Sequence, residues 1–215
     1  MGARDSFSVR SAGTEKEAFM ENQITLVLGG ARSGKSEFAE KLLIRSDKKN
    51  KGYIATCRVL DEEMEYRVRI HRDRRPREWK TFEILEDGGD MMDGILQQAD
   101  AFLFDCLTMY VSNLLMAHME KRNTETLGVA DLEMLQRVLQ DDLDRMFRAL
   151  SGVSGREMIF VSDELGMGIV PANAMSRVYR DLVGMANQYV AARAEKVYFS
   201  VAGITTELKG REVHL

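Results

Sequence analysis

Ile24-Thr25-Leu26-Val27-Leu28-Gly29-Gly30-Ala31-Arg32-Ser33-Gly34-Lys35-Ser36 is an apolar run that breaks into a glycine-bounded loop. The first five residues read as a buried strand, and Ser36 opens a helical pattern, SEFAEKLLI (36–44). Between them, Gly29 to Ser36 fit G-x-x-x-x-G-K-[ST] in full. Gly29 and Gly34 let the backbone turn where a Cβ would clash. The loop amides and the helix N-terminus then point at phosphate oxygens. Lys35 supplies a charge to the β- and γ-phosphates of ATP or GTP, and the Ser36 hydroxyl suits Mg²⁺. Gly29, Gly30, Ala31, Arg32, Ser33, Gly34, Lys35 and Ser36 are therefore the expected triphosphate-binding residues.

Working outward, strand-like runs alternate with helical patterns. YIATC (53–57), WKTFEIL (79–85), AFLFDCL (101–107), MIFVSDEL (158–165) and KVYFSVAG (196–203) read as strands, with TELK (206–209) as a weak edge. Helices are expected over 61–75, 90–98, 108–120, 130–150 and 171–193, the first with Asp61 as N-cap and Pro76 just past its end. Continuous apolar strands separated by helices imply a mostly parallel sheet covered on both faces. The expected fold class is α/β of the P-loop NTPase type. Residues 1–22 show no period and are expected to be a flexible extension, with a single domain over 23–215.

The chain has 215 residues, 45% of them hydrophobic and 30% charged, enough apolar material for a folded core. Net charge is −4, so there is no global basic field for nucleic acid. No run approaches the about 20 apolar residues of a membrane span. Cys57 and Cys106 sit in separate apolar runs at no metal-ligand spacing and read as reduced thiols. A cytoplasmic enzyme is the expectation.

Two acidic strand ends are candidates for the metal side of the loop, Asp105 and Asp163-Glu164. Asp105 is preferred, on the expectation that its strand lies beside the loop strand. The segment 67–79 is rich in arginine around one histidine. On a helix, Arg67, His71, Arg74 and Arg75 share a face. Such a face suits a triphosphate, and an imidazole can be a nucleophile toward phosphorus. An RNA-binding stripe competes, with Trp79 and Tyr66 as the nearby rings for stacking. His118 and His214 read as solvated helix or tail residues.

These residues together resemble the bifunctional adenosylcobinamide kinase / adenosylcobinamide-phosphate guanylyltransferases of cobalamin biosynthesis. The resemblance runs from about Ile24 to about Gly203. It rests on GGARSGKS (29–36), YIAT (53–56), D-x-E-M-x-x-R (61–67), H-R-x-x-R-P-x-x-W-x-T-x-E (71–83), DCLT (105–108), SNLL (112–115), ELGMGIVP (164–171) and RDLVGMANQ (180–188). It implies phosphorylation of adenosylcobinamide by a nucleoside triphosphate. It further implies transfer of GMP from GTP, through a guanylyl-histidine, to the cobinamide phosphate. In that scheme Lys35 and His71 are catalytic. Thr56, Cys57, Arg58, Arg72, Asp73, Arg74, Arg75, Glu83 and Asp105 join residues 29–36 around the nucleotide. Ser36 and Asp105 serve the metal, and Asp163 has no assigned role. The resemblance also implies a homotrimer whose subunit junctions form the site. Two other readings remain open on the residues: a monofunctional P-loop small-molecule kinase, and a GTP-binding sensor module without catalysis.

Overall fold

A computed structural model describes residues 22–59, 61–122 and 127–213, and for Arg67 the backbone alone. The first 21 residues of the expected extension and His214 lie outside the described residues. Asn22 belongs to the fold. Its side chain is buried, donating to the Leu150 and Val153 carbonyls while accepting from the Arg156 amide.

Seven strands form one sheet: β1 (Gln23–Gly29), β2 (Lys51–Ala55), β3 (Lys80–Glu83), β4 (Ala101–Asp105), β5 (Glu157–Asp163), β6 (Lys196–Val201) and β7 (Ile204–Glu207). Their order is β3-β2-β4-β5-β1-β6-β7, parallel throughout except for β7 against β6. Among the described residues six α-helices connect them: α1 (Lys35–Arg45), α2 (Glu62–Asp73), α3 (Gly88–Leu96), α4 (Leu107–Arg122), α5 (Val129–Ser151) and α6 (Ala174–Arg193).

Alternation along the strands feeds two cores. Phe102 and Phe104 of β4, with Met158 and Phe160 of β5, pack on the side of α3, α4, α5 and α6. Ala101 and Leu103, with Ile159 and Val161, face Ala39 and Leu43 of α1. Both faces are thus covered, which is why residues 101–104 and 158–161 are apolar at successive positions.

Several boundaries differ from the sequence reading, each for a local reason. The last long helix starts at Ala174, not Pro171, because Asn173 caps it, accepting from the Ser176 amide. The Pro171 and Ala172 carbonyls are instead taken by the Arg177 guanidinium. The helix expected to reach residue 75 ends at Asp73; Asp61 caps its start as read. The weak edge strand lies at 204–207, two residues early, and Lys209 turns back to donate to the Ala191 and Ala194 carbonyls at the end of α6. No helix among the described residues is long and apolar enough to cross a membrane.

Candidate active site at the carboxyl end of the sheet

The phosphate loop joins β1 to α1. Gly34 has φ of 92° and no Cβ penalty there, while its α-carbon side faces Gly203. A Cβ on Gly29 would stand 2.6 Å from the Ser200 carbonyl oxygen, so a side chain is excluded by the neighbouring strand. The Gly203 amide donates to the Ser33 carbonyl at 2.9 Å, which ties the β6–β7 turn to the loop. Lys35 Nζ lies 3.2 Å from the Gly30 carbonyl and 2.5 Å from Asp163 Oδ1.

That ion pair corrects the sequence reading. β1 lies between β5 and β6, with Gly29 opposite Asp163 of β5; β4, which carries Asp105, pairs with β2 and β5. Asp163, left without a role, is therefore the carboxylate next to the loop. Asp105 sits one strand further out, accepting from the Tyr53 hydroxyl at 3.0 Å. Burial raises its pKa, opposed by His71, the Tyr53 hydrogen bond, Lys35 and Arg75.

Helix α2 brings the basic segment over this end. Arg74 Nη2 is 3.4 Å from both His71 Nδ1 and Glu40 Oε1, and His71 Nδ1 is 4.0 Å from the same Glu40 oxygen. Glu40 lies on α1 and is buried, with its pKa raised by that burial and Arg74 opposing. Arg75 donates from Nε to the His71 carbonyl and stacks on the Tyr53 ring at 3.4 Å. The His71 pKa is lowered, first by burial and then by Arg74, Arg75 and Lys35, while Asp105 pulls it upward. A depressed imidazole is neutral near pH 7 and keeps a lone pair.

Lys35, His71, Arg74, Arg75 and Asp105 thus come together, and Glu40, Tyr53 and Asp163 join them. Tyr53 opens the quoted YIAT motif, and Glu40 is an acid inside an apolar helical run; those were the available signals for the two. Other expected residues stand apart. The Thr56 hydroxyl is spent on the backbone, donating to the Cys106 carbonyl and accepting from the Cys106 amide. Arg58 pairs with Glu86 at 2.6 Å. Cys57 is a free thiol with its pKa raised by burial. Glu83 is exposed at the end of β3, in register with Ala55, itself in register with Asp105. It is thus two strand spacings, about 10 Å, from Asp105. Arg72 and Asp73 line, with Arg75, Arg77 and Trp79, a cavity of about 450 Å³. His118 is not free in solvent but lies 3.1 Å from Asp131, which caps α5 through the Gly128 amide.

Residues 25–208 match the cobinamide kinase / cobinamide phosphate guanyltransferase family. The chain belongs to this family. Relatives agree over nearly their whole lengths. The bifunctional adenosylcobalamin biosynthesis protein CobU of Salmonella typhimurium is 38% identical over 86% of this chain and 98% of its own. Its namesake in Escherichia coli is 33% identical over the same shares. CobP of Pseudomonas aeruginosa is 38% identical over 86% of this chain and 96% of its own. All three are called bifunctional, so the monofunctional kinase and the catalytically silent sensor are not favoured.

Proposed function

We propose that this chain phosphorylates the aminopropanol hydroxyl of adenosylcobinamide with ATP or GTP, then transfers GMP from GTP to the phosphorylated product, giving adenosylcobinamide-GDP. The observation that carries this reading is the triphosphate loop beside a half-buried histidine kept neutral by its surroundings. In the kinase step the acceptor oxygen attacks the γ-phosphorus, the bond to the β-phosphate oxygen breaks, and the hydroxyl proton is lost. Lys35 stabilises charge on the transferred group.

In the guanylyl step His71 attacks the α-phosphorus of GTP and pyrophosphate leaves. Among the described residues Nε2 has no hydrogen-bond partner; it is the attacking nitrogen in the tautomer whose Nδ1 proton faces the Glu40 carboxylate, not in the one whose Nδ1 accepts from Arg74. A phosphate oxygen of the acceptor then forms a bond to that phosphorus, the P–N bond breaks, and His71 is restored. Arg74 and Arg75 neutralise charge as it builds. Asp105 completes the charged wall of this site, and Arg72 and Asp73 lie beside Arg75 at its edge, while Thr56, Cys57, Arg58 and Glu83 stand further along the sheet end.

A divalent cation, Mg²⁺, belongs to this reading. Among the described residues no three acidic, histidine or cysteine side chains cluster. That suits an ion which keeps its waters and takes phosphate oxygens. Ser36 would hold it, with Asp105 and Asp163 reaching its waters, and it would neutralise phosphate charge. The reaction is placed in the cytoplasm, in a homotrimer. The exposed apolar side chains of Met167, Ile169 and Val170, on the loop that follows Asp163, support burial at a subunit junction.

Labelled GTP tests the reading. The protein should acquire an acid-labile, base-stable GMP label, and His71→Ala should lose label and guanylyl transfer while keeping substantial kinase activity. A His71→Ala variant that still labels would remove the nucleophile assignment.

A further inference from the structure

His71 Nδ1 has two neighbours that pull the ring proton in opposite directions. Arg74 Nη2, at 3.4 Å, can only donate, so it favours a bare Nδ1 with the proton on Nε2. Glu40 Oε1, at 4.0 Å, only accepts when ionised, so it favours the proton on Nδ1 and frees the Nε2 lone pair. Among the described residues Glu40 is the only carboxylate within 4.0 Å of a His71 ring nitrogen. Asp105, Lys35 and Arg75 act on the charge of the ring as a whole. Which nitrogen carries the proton of the neutral ring is left to Arg74 and Glu40.

The two neighbours differ in freedom. Glu40 lies on the buried side of α1 with Ala39 and Leu43, and its side chain is 9% exposed. Arg74 stands just past the end of α2 with its side chain 43% exposed, and its contact with Glu40 is a long 3.4 Å. One long contact does not offset the cost of taking a carboxylate out of water, so stability alone does not account for an acid here. A triphosphate is a stronger partner for a guanidinium. Once it draws Arg74 away, Glu40 is the neighbour left at Nδ1. We propose that Glu40 is a positioning residue for the guanylyl step: when nucleotide displaces Arg74, its carboxylate holds the His71 proton on Nδ1 and so presents Nε2 to the α-phosphorus. Nε2 forms the bond to phosphorus as the bond to the β-phosphate oxygen breaks, and pyrophosphate leaves with that electron pair. The ring is then positively charged, with its proton still on Nδ1 facing Glu40. The histidine is nucleophilic only with nucleotide in place. The proposal rests on the guanylyl reading above.

Nuclear magnetic resonance of the full-length protein with isotope-labelled histidine tests it, because correlations from ring nitrogens to ring carbon-bound protons distinguish the two tautomers. The His71 signals are those missing from His71→Ala. Free wild type should show the proton on Nε2; with Mg²⁺ and the α,β-methylene analogue of GTP, which cannot release pyrophosphate, it should move to Nδ1. Glu40→Leu and Glu40→Met both remove the carboxylate with different shapes, so that a packing fault in one does not decide the matter, and thermal melting checks each. In either variant the proton should stay on Nε2 with the analogue bound. The rate of GMP labelling at saturating GTP should fall by at least about tenfold, the lower end of what a histidine's orienting partners contribute. Glu40→Gln keeps an acceptor of the same shape and should recover part of both signals, whereas a merely structural role would leave the tautomer where it is in wild type. A folded apolar variant with the wild-type tautomer and labelling rate would overturn the proposal alone, as would a wild-type ring whose proton stays on Nε2 with the analogue bound. A wild type that takes no GMP label would overturn the guanylyl reading and the proposal with it.

Discussion

At His71, burial and three cations push the imidazole pKa down while Asp105 pushes it up. In the proposed guanylyl step the neutral form is the nucleophile, so GMP labelling should hold its rate as pH falls to the ordinary imidazole value of about 6.5 and decline only below it. Asp105 stabilises the protonated ring. Asp105→Asn should therefore lower the pKa further and move the acid limb of labelling to still lower pH, whatever it does to the maximal rate. Initial labelling rates between about pH 5 and 8 measure this, and an acid limb displaced upward would show that Asp105 does not act on the ring. In the proposed function Lys35 acts on both reactions. Lys35→Ala should reduce each kcat by at least about 100-fold, the usual cost of losing one preorganised charge at a transferring phosphate; saturating ATP and GTP should not restore it.

Elements are held in place around this site by a few buried polar groups. Asn113 of α4 donates to the Thr56 carbonyl at 2.8 Å and to the Leu85 carbonyl at 3.0 Å, joining the ends of β2 and β3 to the helix. Asn113→Ala leaves two carbonyls without a donor in a buried place, a loss of about 2 kcal/mol. In a chain of this size the melting temperature should fall by about 4–8 °C, readable by circular dichroism. The same lesion loosens the segment carrying Thr56 to Arg58, so KM for nucleotide should rise more than kcat falls. Tyr110 plays a similar part for α3, accepting from the Gly88 amide while donating to Asp142 of α5.

The whole molecule is an open sheet whose carboxyl end carries the proposed nucleotide site, and binding there should stabilise the fold. Mg²⁺–GTP at about 100 times its Kd contributes about 2.7 kcal/mol. That corresponds to a rise of about 5–10 °C in melting temperature, measurable by calorimetry. Lys35→Ala should abolish most of the rise. Sedimentation velocity tests the proposed trimer: Ile169, 95% exposed in the single chain, should tolerate Glu if it faces solvent, whereas Ile169→Glu should dissociate an assembly that buries it.

The phosphate loop, the alternation of strands with helices and the arginine-rich helix around His71 were all legible in the residues themselves, because each depends on neighbours a few positions away. Gly34 at positive φ and Asp61 as N-cap are local geometry, and local sequence dictates them. Strand order is another matter. Periodicity says that 101–105 and 157–163 are both buried on two faces, and it says nothing about which of them lies against 23–29. That choice is made by how the crossover helices pack over both faces of the sheet, a sum of contacts between residues more than a hundred positions apart. It set β5 beside β1 and Asp163 against Lys35, and moved Asp105 outward to His71 and Tyr53. The same packing placed Glu40 of α1 under the histidine, a meeting of two helices that no spacing along the chain encodes.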